Sequence, residues 1–135
     1  MDSTTLSSPL ETLNPKKAIC VDHDASLKSV IHKMKEHGIG CVCVVEKNWL
    51  VGIFTERDIL TKIVCSDLDL EKTQVNEVMT VNPEYLYMDD EIAFALNRMH
   101  VGGFRHIPLV NLQNEPQGVI SVRDIAAHLV QNLNV

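Results

Sequence analysis

Two seven-residue stretches carry the same set of reactive groups: "GIFTERD" at 52–58 and "GVISVRD" at 118–124. Each holds a hydroxyl, an arginine and an acid: Thr55, Arg57 and Asp58 in the first, Ser121, Arg123 and Asp124 in the second. An ionised carboxylate only accepts hydrogen bonds, so it can take two from the cis-diol of a sugar. A guanidinium fork beside it can hold a phosphate by paired charge-assisted bonds, each worth about 1.5–3 kcal/mol before ordering costs. A strand-to-helix junction adds backbone N–H groups and the positive end of a helix dipole. Together these groups suit a ribose phosphate. A plainer reading stands beside this one. Thr55-x-x-Asp58 and Ser121-x-x-Asp124 also fit capping boxes, which need no ligand and contribute about 1 kcal/mol each. Capping has no use for the arginines.

Other chemistry finds no carrier. His32, His37 and His100 fall on or near helices without a partner at metal-ligand spacing, and Asp89-Asp90-Glu91 reads as an acidic helix start. Cys41 and Cys43 stand one residue apart in "CVCVV", which reads as a buried strand. With Cys20 and Cys65 they are read as buried thiols in a reducing cytosol, so no disulfide or zinc is expected. Neither a P-loop nor a GxGxxG is present, no Ser–His–acid set is suggested, and no catalytic residue is assigned.

The elements that must carry the two stretches are themselves repeated. Leu27, Val30, Ile31 and Met34 space like one face of a helix, and Ile92, Ala95, Leu96 and Met99 repeat that series. Asp24 and Asp89 are the expected N-caps, and the glycines of "HG" (37–38) and "GG" (102–103) the expected stops. Strands are expected at 41–45 and 106–110, then at 50–54 and 118–120, with short leading strands at 18–21 and 84–88. Pro108, which has no N–H to donate, suggests an edge strand. A second helix follows each signature, carrying Ile59, Leu60, Ile63 and Val64 in one copy and Ile125, Leu129, Val130 and Leu133 in the other. The chain divides into a polar tail (1–14), a first unit (15–65), a charged linker (66–81) with about one helical turn near "VNEVM", and a second unit (82–135).

At 135 residues the chain suits one domain built from two such halves. A net charge of −6 gives no basic field for general nucleic-acid binding. No apolar run reaches the roughly 20 residues of a membrane helix, and "MDSTTLSSPLETLNP" lacks the basic start and apolar middle of a secretory signal. A cytoplasmic protein is expected.

The order strand–helix–hairpin–"G-h-[ST]-x-x-D"–helix, written twice over about residues 15–133, resembles a tandem pair of cystathionine-β-synthase (CBS) domains, a Bateman module. The resemblance implies an α/β (α+β) fold of two β-α-β-β-α repeats packed sheet to sheet with pseudo-two-fold symmetry. It implies a cleft that takes an adenosine compound: AMP, ADP or ATP first, NAD or S-adenosylmethionine otherwise. By it, Asp58 and Asp124 hold ribose, Thr55 and Ser121 help place the phosphate, and Arg57 and Arg123 contact phosphate or brace the site. Arg105 and His106 in "FRHIPLV" are further phosphate candidates, where the first copy has Gly40 and Cys41. Ile19 and Cys20, or Tyr85 and Leu86, would supply backbone and apolar contacts to adenine. The implied role is a non-catalytic sensor, homodimeric through its second helices, that signals to a partner protein. A scaffold with no working nucleotide site and, less favoured, a nucleotide hydrolase stay open beside it.

Overall fold

The computed structural model describes residues 3–133. The chain forms α1 (Ser3–Ser7), a 3-10 turn (Leu10–Leu13), β1 (Lys16–Lys17), β2 (Cys20–Asp22), α2 (Leu27–His37), β3 (Cys41–Glu46) and β4 (Trp49–Thr55). α3 (Glu56–Asp58) continues into a π turn (Ile59–Ile63), followed by a 3-10 turn (Val75–Glu77), β5 (Thr80–Val81), α4 (Ile92–Gly102), β6 (His106–Val110), β7 (Pro116–Ser121) and α5 (Val122–Gln131). Two sheets result, a mixed one in the order β2-β3-β4-β5 and an antiparallel one in the order β1-β7-β6.

Strand alternation builds the layers. Val42 and Val44 of β3 turn to α2, joining Leu27, Val30 and Met34 in one core. Ile107 and Leu109 of β6 turn to α4, joining Ile92, Ala95 and Met99 in a second. The opposite faces carry Cys41, Cys43, Ile53 and Val110, which meet in a third apolar cluster between the sheets. Both sheets therefore lie inside, with helices outside. Gly38 and Gly103 stop α2 and α4 at φ +62° and +71°, the left-handed positions where a glycine is expected.

The helix starts differ from expectation. Ser26, not Asp24, caps α2, its hydroxyl accepting from the Ser29 N–H at 3.2 Å. Glu91, not Asp89, stands at the equivalent position before α4 and makes no side-chain cap. Backbone from elsewhere fills the need. The Leu27 N–H donates to the Thr73 carbonyl at 2.9 Å, and the Ile92 N–H donates to the Ser8 carbonyl at 3.0 Å. These contacts give the polar segment 1–14 and the charged linker 66–81 defined places in the fold. Leu10 is fully buried in the second lobe's core, and Val75 fully buried in the first lobe's. β1 pairs with β7 and β5 with β4, so each leading segment is woven into the other repeat's sheet.

Pro108 lies on an edge strand, as its chemistry requires, and it explains a missing element. The Cys43 N–H donates to the Ile19 carbonyl at 2.9 Å, which helps fasten β2 to β3. Pro108 occupies the equivalent place and has no N–H. The segment 84–88 is consequently held at only one bridge, Leu86 to Leu109, and forms no strand. The expected second helix of the first unit is also shortened, because its register slips to an i+5 bond from the Val64 N–H to the Ile59 carbonyl.

Leu10→Ala is expected to destabilise the protein by roughly 2–5 kcal/mol, the cost of a buried truncation. Leu112→Ala, at a site 87% exposed, should stay within about 0.5 kcal/mol. Urea unfolding of both variants measures the difference, and a Leu10→Ala midpoint equal to wild type would refute the tucked N-terminal segment.

Candidate functional site

Each signature stretch lies where a central strand turns into a helix. Thr55 ends β4 and Asp58 sits one turn into α3, with the same arrangement for Ser121 and Asp124 between β7 and α5. Both are capping boxes. Asp58 Oδ2 accepts from the Thr55 backbone N–H at 3.0 Å, and the Asp58 N–H donates to Thr55 Oγ1 at 3.4 Å. Asp124 Oδ2 accepts from the Ser121 N–H at 3.0 Å, and its own N–H donates to Ser121 Oγ at 3.0 Å. The plainer reading of the motif is thus realised twice, using one oxygen of each carboxylate.

The other oxygens differ. Asp58 is buried, and its Oδ1 lies 3.0 Å from Lys62 Nζ, which also donates to the Val78 carbonyl at 2.7 Å. His128 stands at the position equivalent to Lys62, and Asn132 donates to its carbonyl at 2.8 Å. Among the described residues no ion pair reaches Asp124. The Lys62 contact escaped the sequence reading, although an i,i+4 acid–lysine spacing was there to be seen.

A cavity of about 930 Å³ opens beside the first signature. Its wall includes Thr55, Arg57 and Asp58 from the first repeat, and Phe104, Arg105 and His106 from the entrance to β6 in the second. Thr80, Asn82, Pro83 and Glu84 close a third side. Five of the expected residues therefore share one cleft across the two repeats. Ser121, Arg123 and Asp124 do not line it. Arg123 is exposed, and among the described residues it makes no hydrogen bond or ion pair.

The adenine candidates fare differently. The Ile19 carbonyl is taken by Cys43, and the Cys20 carbonyl accepts from Lys33 Nζ at 2.9 Å. Leu86 is buried in the second core, its N–H donating to the Pro108 carbonyl and its carbonyl accepting from the Val110 N–H of β6. Tyr85 is exposed and packs edge-on against Tyr87 at 5.9 Å. None of the four is in the cavity wall.

Arg57 braces the cleft: its Nη1 donates to the Gly103 carbonyl at 2.9 Å, tying the first repeat to the end of α4 in the second. Two acids in the wall were not anticipated. Glu84 is paired with Arg98 Nε at 2.6 Å. Glu56 folds over Gly40, where an added Cβ would lie 2.8 Å from Glu56 Oε1. The missing side chain at 40 is what lets Glu56 lie there.

Burial holds the His106 imidazole below the ordinary histidine pKa; Glu56 and Asp124 push it up and Arg105 pushes it down. The folded protein thus prefers His106 neutral, and its contribution to stability falls as pH drops through about 6.5. Burial, with a smaller push from Asp58, raises the Cys41 thiol to about 12, so it stays protonated. Cys43 is raised by burial as well, and Cys65, expected to be buried, is exposed. All four cysteines are free, and among the described residues no cluster of metal-ligating side chains forms.

The comparisons with known proteins agree with this architecture. The family model for the CBS domain matches residues 11–65 and 75–131. An Arabidopsis thaliana CBS domain-containing protein, CBSCBSPB5, is 37% identical over 115 residues, covering 84% of this chain. The chain spans about a fifth of that relative's length (21%). The Pyrobaculum aerophilum CBS domain protein PAE2072, solved in complex with AMP, superposes with a TM-score of 0.81 at 23% identity, covering 91% of this chain and 96% of its own. The CBS domain pair of MJ0100, solved with 5′-methylthioadenosine and S-adenosylmethionine, gives 0.84 at 20% identity, covering 93% and 98%.

Imidazole NMR titration, with the His106 signal assigned through His106→Gln, is expected to give a midpoint below about 6.5 for His106. A midpoint at or above that value would show that the cleft does not exclude water from the ring.

Proposed function

The chain belongs to the CBS-domain family as a tandem pair, and from that membership we propose that it is a non-catalytic regulatory module. It takes an adenosine nucleotide in the cleft between its repeats and signals by the arrangement of the lobes. The observation that carries this reading is the cavity of about 930 Å³ that gathers Thr55, Arg57 and Asp58 from one repeat with Arg105 and His106 from the other. That volume falls within the roughly 300–1,000 Å³ of small-molecule pockets. AMP, 5′-methylthioadenosine and S-adenosylmethionine in the related structures lend support to an adenosine compound.

Asp58 Oδ1 accepts the ribose hydroxyls once Lys62 yields or shares it, while Oδ2 keeps the cap. Thr55 and Arg105 flank the phosphate. Glu56 and Glu84 in the same wall oppose a long polyphosphate, so AMP is favoured over ATP. A phosphate also competes with the Gly103 carbonyl for Arg57, which couples occupancy to the tie between the repeats. The shift is limited by the difference in ligand affinity between the tied and released arrangements. Leu60, Val64, Val130 and Leu133 are exposed on or beside the second helices and support a homodimer through them. The reader of the signal is a separate protein. No described helix is long and apolar enough to cross a membrane.

A second reading, a scaffold without a nucleotide, is favoured by one fact: Asp58 already has both oxygens engaged inside the protein. Calorimetric titration with adenosine compounds separates the two. AMP is expected to bind more tightly than ATP, and Asp58→Ala should weaken AMP at least tenfold, about 1.4 kcal/mol. The variant should also lose about 1 kcal/mol of stability with the cap, read by thermal melting. Lost stability with no AMP binding to the wild type would establish the scaffold.

A further inference from the structure

The end of the sandwich far from the cleft carries a second set of unexplained residues. β4 runs from Trp49 to Thr55, so Trp49 lies about 20 Å from the cleft end of its own strand. Trp49 is 62% exposed and is the only tryptophan of the chain. It follows a tight turn at Lys47 and Asn48, both at positive φ. Leu112, 87% exposed, tips the other hairpin. The two tips are joined. The Leu50 N–H donates to the Asn114 carbonyl at 2.9 Å, and Asn114 Nδ2 donates to the Leu50 carbonyl at 3.2 Å.

This surface is built rather than floppy, and its rim is acidic. Glu46 pairs with Trp49 across the hairpin and lies 3.8 Å from His23 Nε2. Asp22 and Asp24 flank His23, and both are exposed. Asp24's carboxyl is raised above its ordinary pKa, chiefly by a side-chain hydrogen bond and repulsion from Asp22. Lys47 is the one cation of the β3–β4 turn. Among the described residues neither Asp22 nor Asp24 makes an ion pair, so both gain from an incoming cation. A rigid tryptophan meets an apolar partner at little entropic cost.

We propose that the joined hairpin tips, centred on Trp49 and Leu112, form a docking surface for a basic amphipathic segment of a partner protein. Its apolar side chains cover Trp49 and Leu112, and its Lys or Arg residues face Asp22, Asp24 and Glu46. An anionic lipid surface is disfavoured by the same carboxylates. The surface spans both repeats, so a segment lying across it is held by both lobes at once. This inference stands whether or not the cleft takes a nucleotide.

The test uses the full chain and two tryptophan-free twelve-residue peptides, one alternating Leu and Lys, the other Leu and Glu. Trp49 emission reports directly. The Lys peptide should shift that emission to the blue and bind with an affinity that weakens with salt, while the Glu peptide should do neither. By calorimetry, Trp49→Ser and Leu112→Ser should each weaken the Lys peptide about tenfold, with unchanged far-ultraviolet dichroism. Asp22→Asn combined with Asp24→Asn should weaken it several-fold and flatten the salt dependence. Equal binding by wild type and Trp49→Ser, equal binding of the two peptides, or no binding would overturn the proposal. So would an emission shift with zwitterionic phosphatidylcholine vesicles and none with the Lys peptide.

Discussion

The first backbone N–H groups of a helix have no partner within it, and this structure supplies partners for α2 and α4 from outside their own repeats. Thr73 and Leu70 lend carbonyls to Leu27 and Lys28 at the head of α2, and Ser8 lends its carbonyl to Ile92 at the head of α4. Each donor segment then sinks an apolar residue into the core it has reached, Val75 in one case and Leu10 in the other. Its next residues add a strand to the sheet beyond. The exchange is reciprocal, so neither lobe is finished without chain from the other repeat. The relative position of the two sheets is fixed by covalent connection as well as by the apolar contact between them. A cleft made of residues from both repeats can keep its geometry only under such a constraint.

Within that frame the two repeats have diverged at the places that decide chemistry. Gly40 against Arg105 and Cys41 against His106 put a cation and an imidazole at one strand entrance, and a bare backbone and a protonated thiol at the other. Lys62 against His128 closes one carboxylate with an ion pair and leaves the other without one. Cys43 against Pro108 gives the first repeat a fastened β2 and the second a loosely bridged segment. Pseudo-symmetry in the backbone therefore carries no symmetry of side-chain chemistry at these positions. The cleft wall combines Arg57 and Asp58 of the first repeat with Arg105 and the His106 imidazole of the second.

Much of this was legible in the residues, and the failures have a common physical cause. Helix faces, the central strands and the glycine stops follow local rules of periodicity and φ, and the structure keeps them at Leu27–His37, His106–Val110 and Gly38. What local rules miss is chain that leaves its own unit. "SSPLETL" reads as tail because its two leucines stand among polar residues, yet Leu10 is buried in a distant core and Leu13 packs against it. The same holds for Thr73 and Val75. At the candidate site, residue types pointed to Thr55, Arg57, Asp58, Arg105 and His106, and the fold lines one cleft with all five. Residue types did not reveal Glu56, whose position depends on the vacant space over Gly40, a relation between a strand and a helix start. Ile19, Cys20 and Leu86 lie outside the cleft wall, and their carbonyls accept from Cys43, Lys33 and Val110, partners that only the fold brings close.

Capping and ligand holding are often set against each other, but on the proposed reading the geometry at Asp58 lets one carboxylate do both. The cap uses Oδ2, bonded to the Thr55 N–H, and so aims the carboxylate without hydrogen-bonding its second oxygen. A free, buried Oδ1 would be costly in the empty protein. Lys62 lowers that cost, and it is held by a second bond to the Val78 carbonyl, so it can release the acid without losing every partner. Arg57 has the same character, being bonded to the Gly103 carbonyl and exposed enough to turn. Asp58 and Arg57 are thus each answered by a group of the protein itself, Lys62 and the Gly103 carbonyl. A polar ligand then exchanges one set of bonds for another, and the net affinity is the small difference between them. On the proposed reading, such an exchange favours modest affinity and ready release, the properties that let occupancy follow a changing ligand concentration.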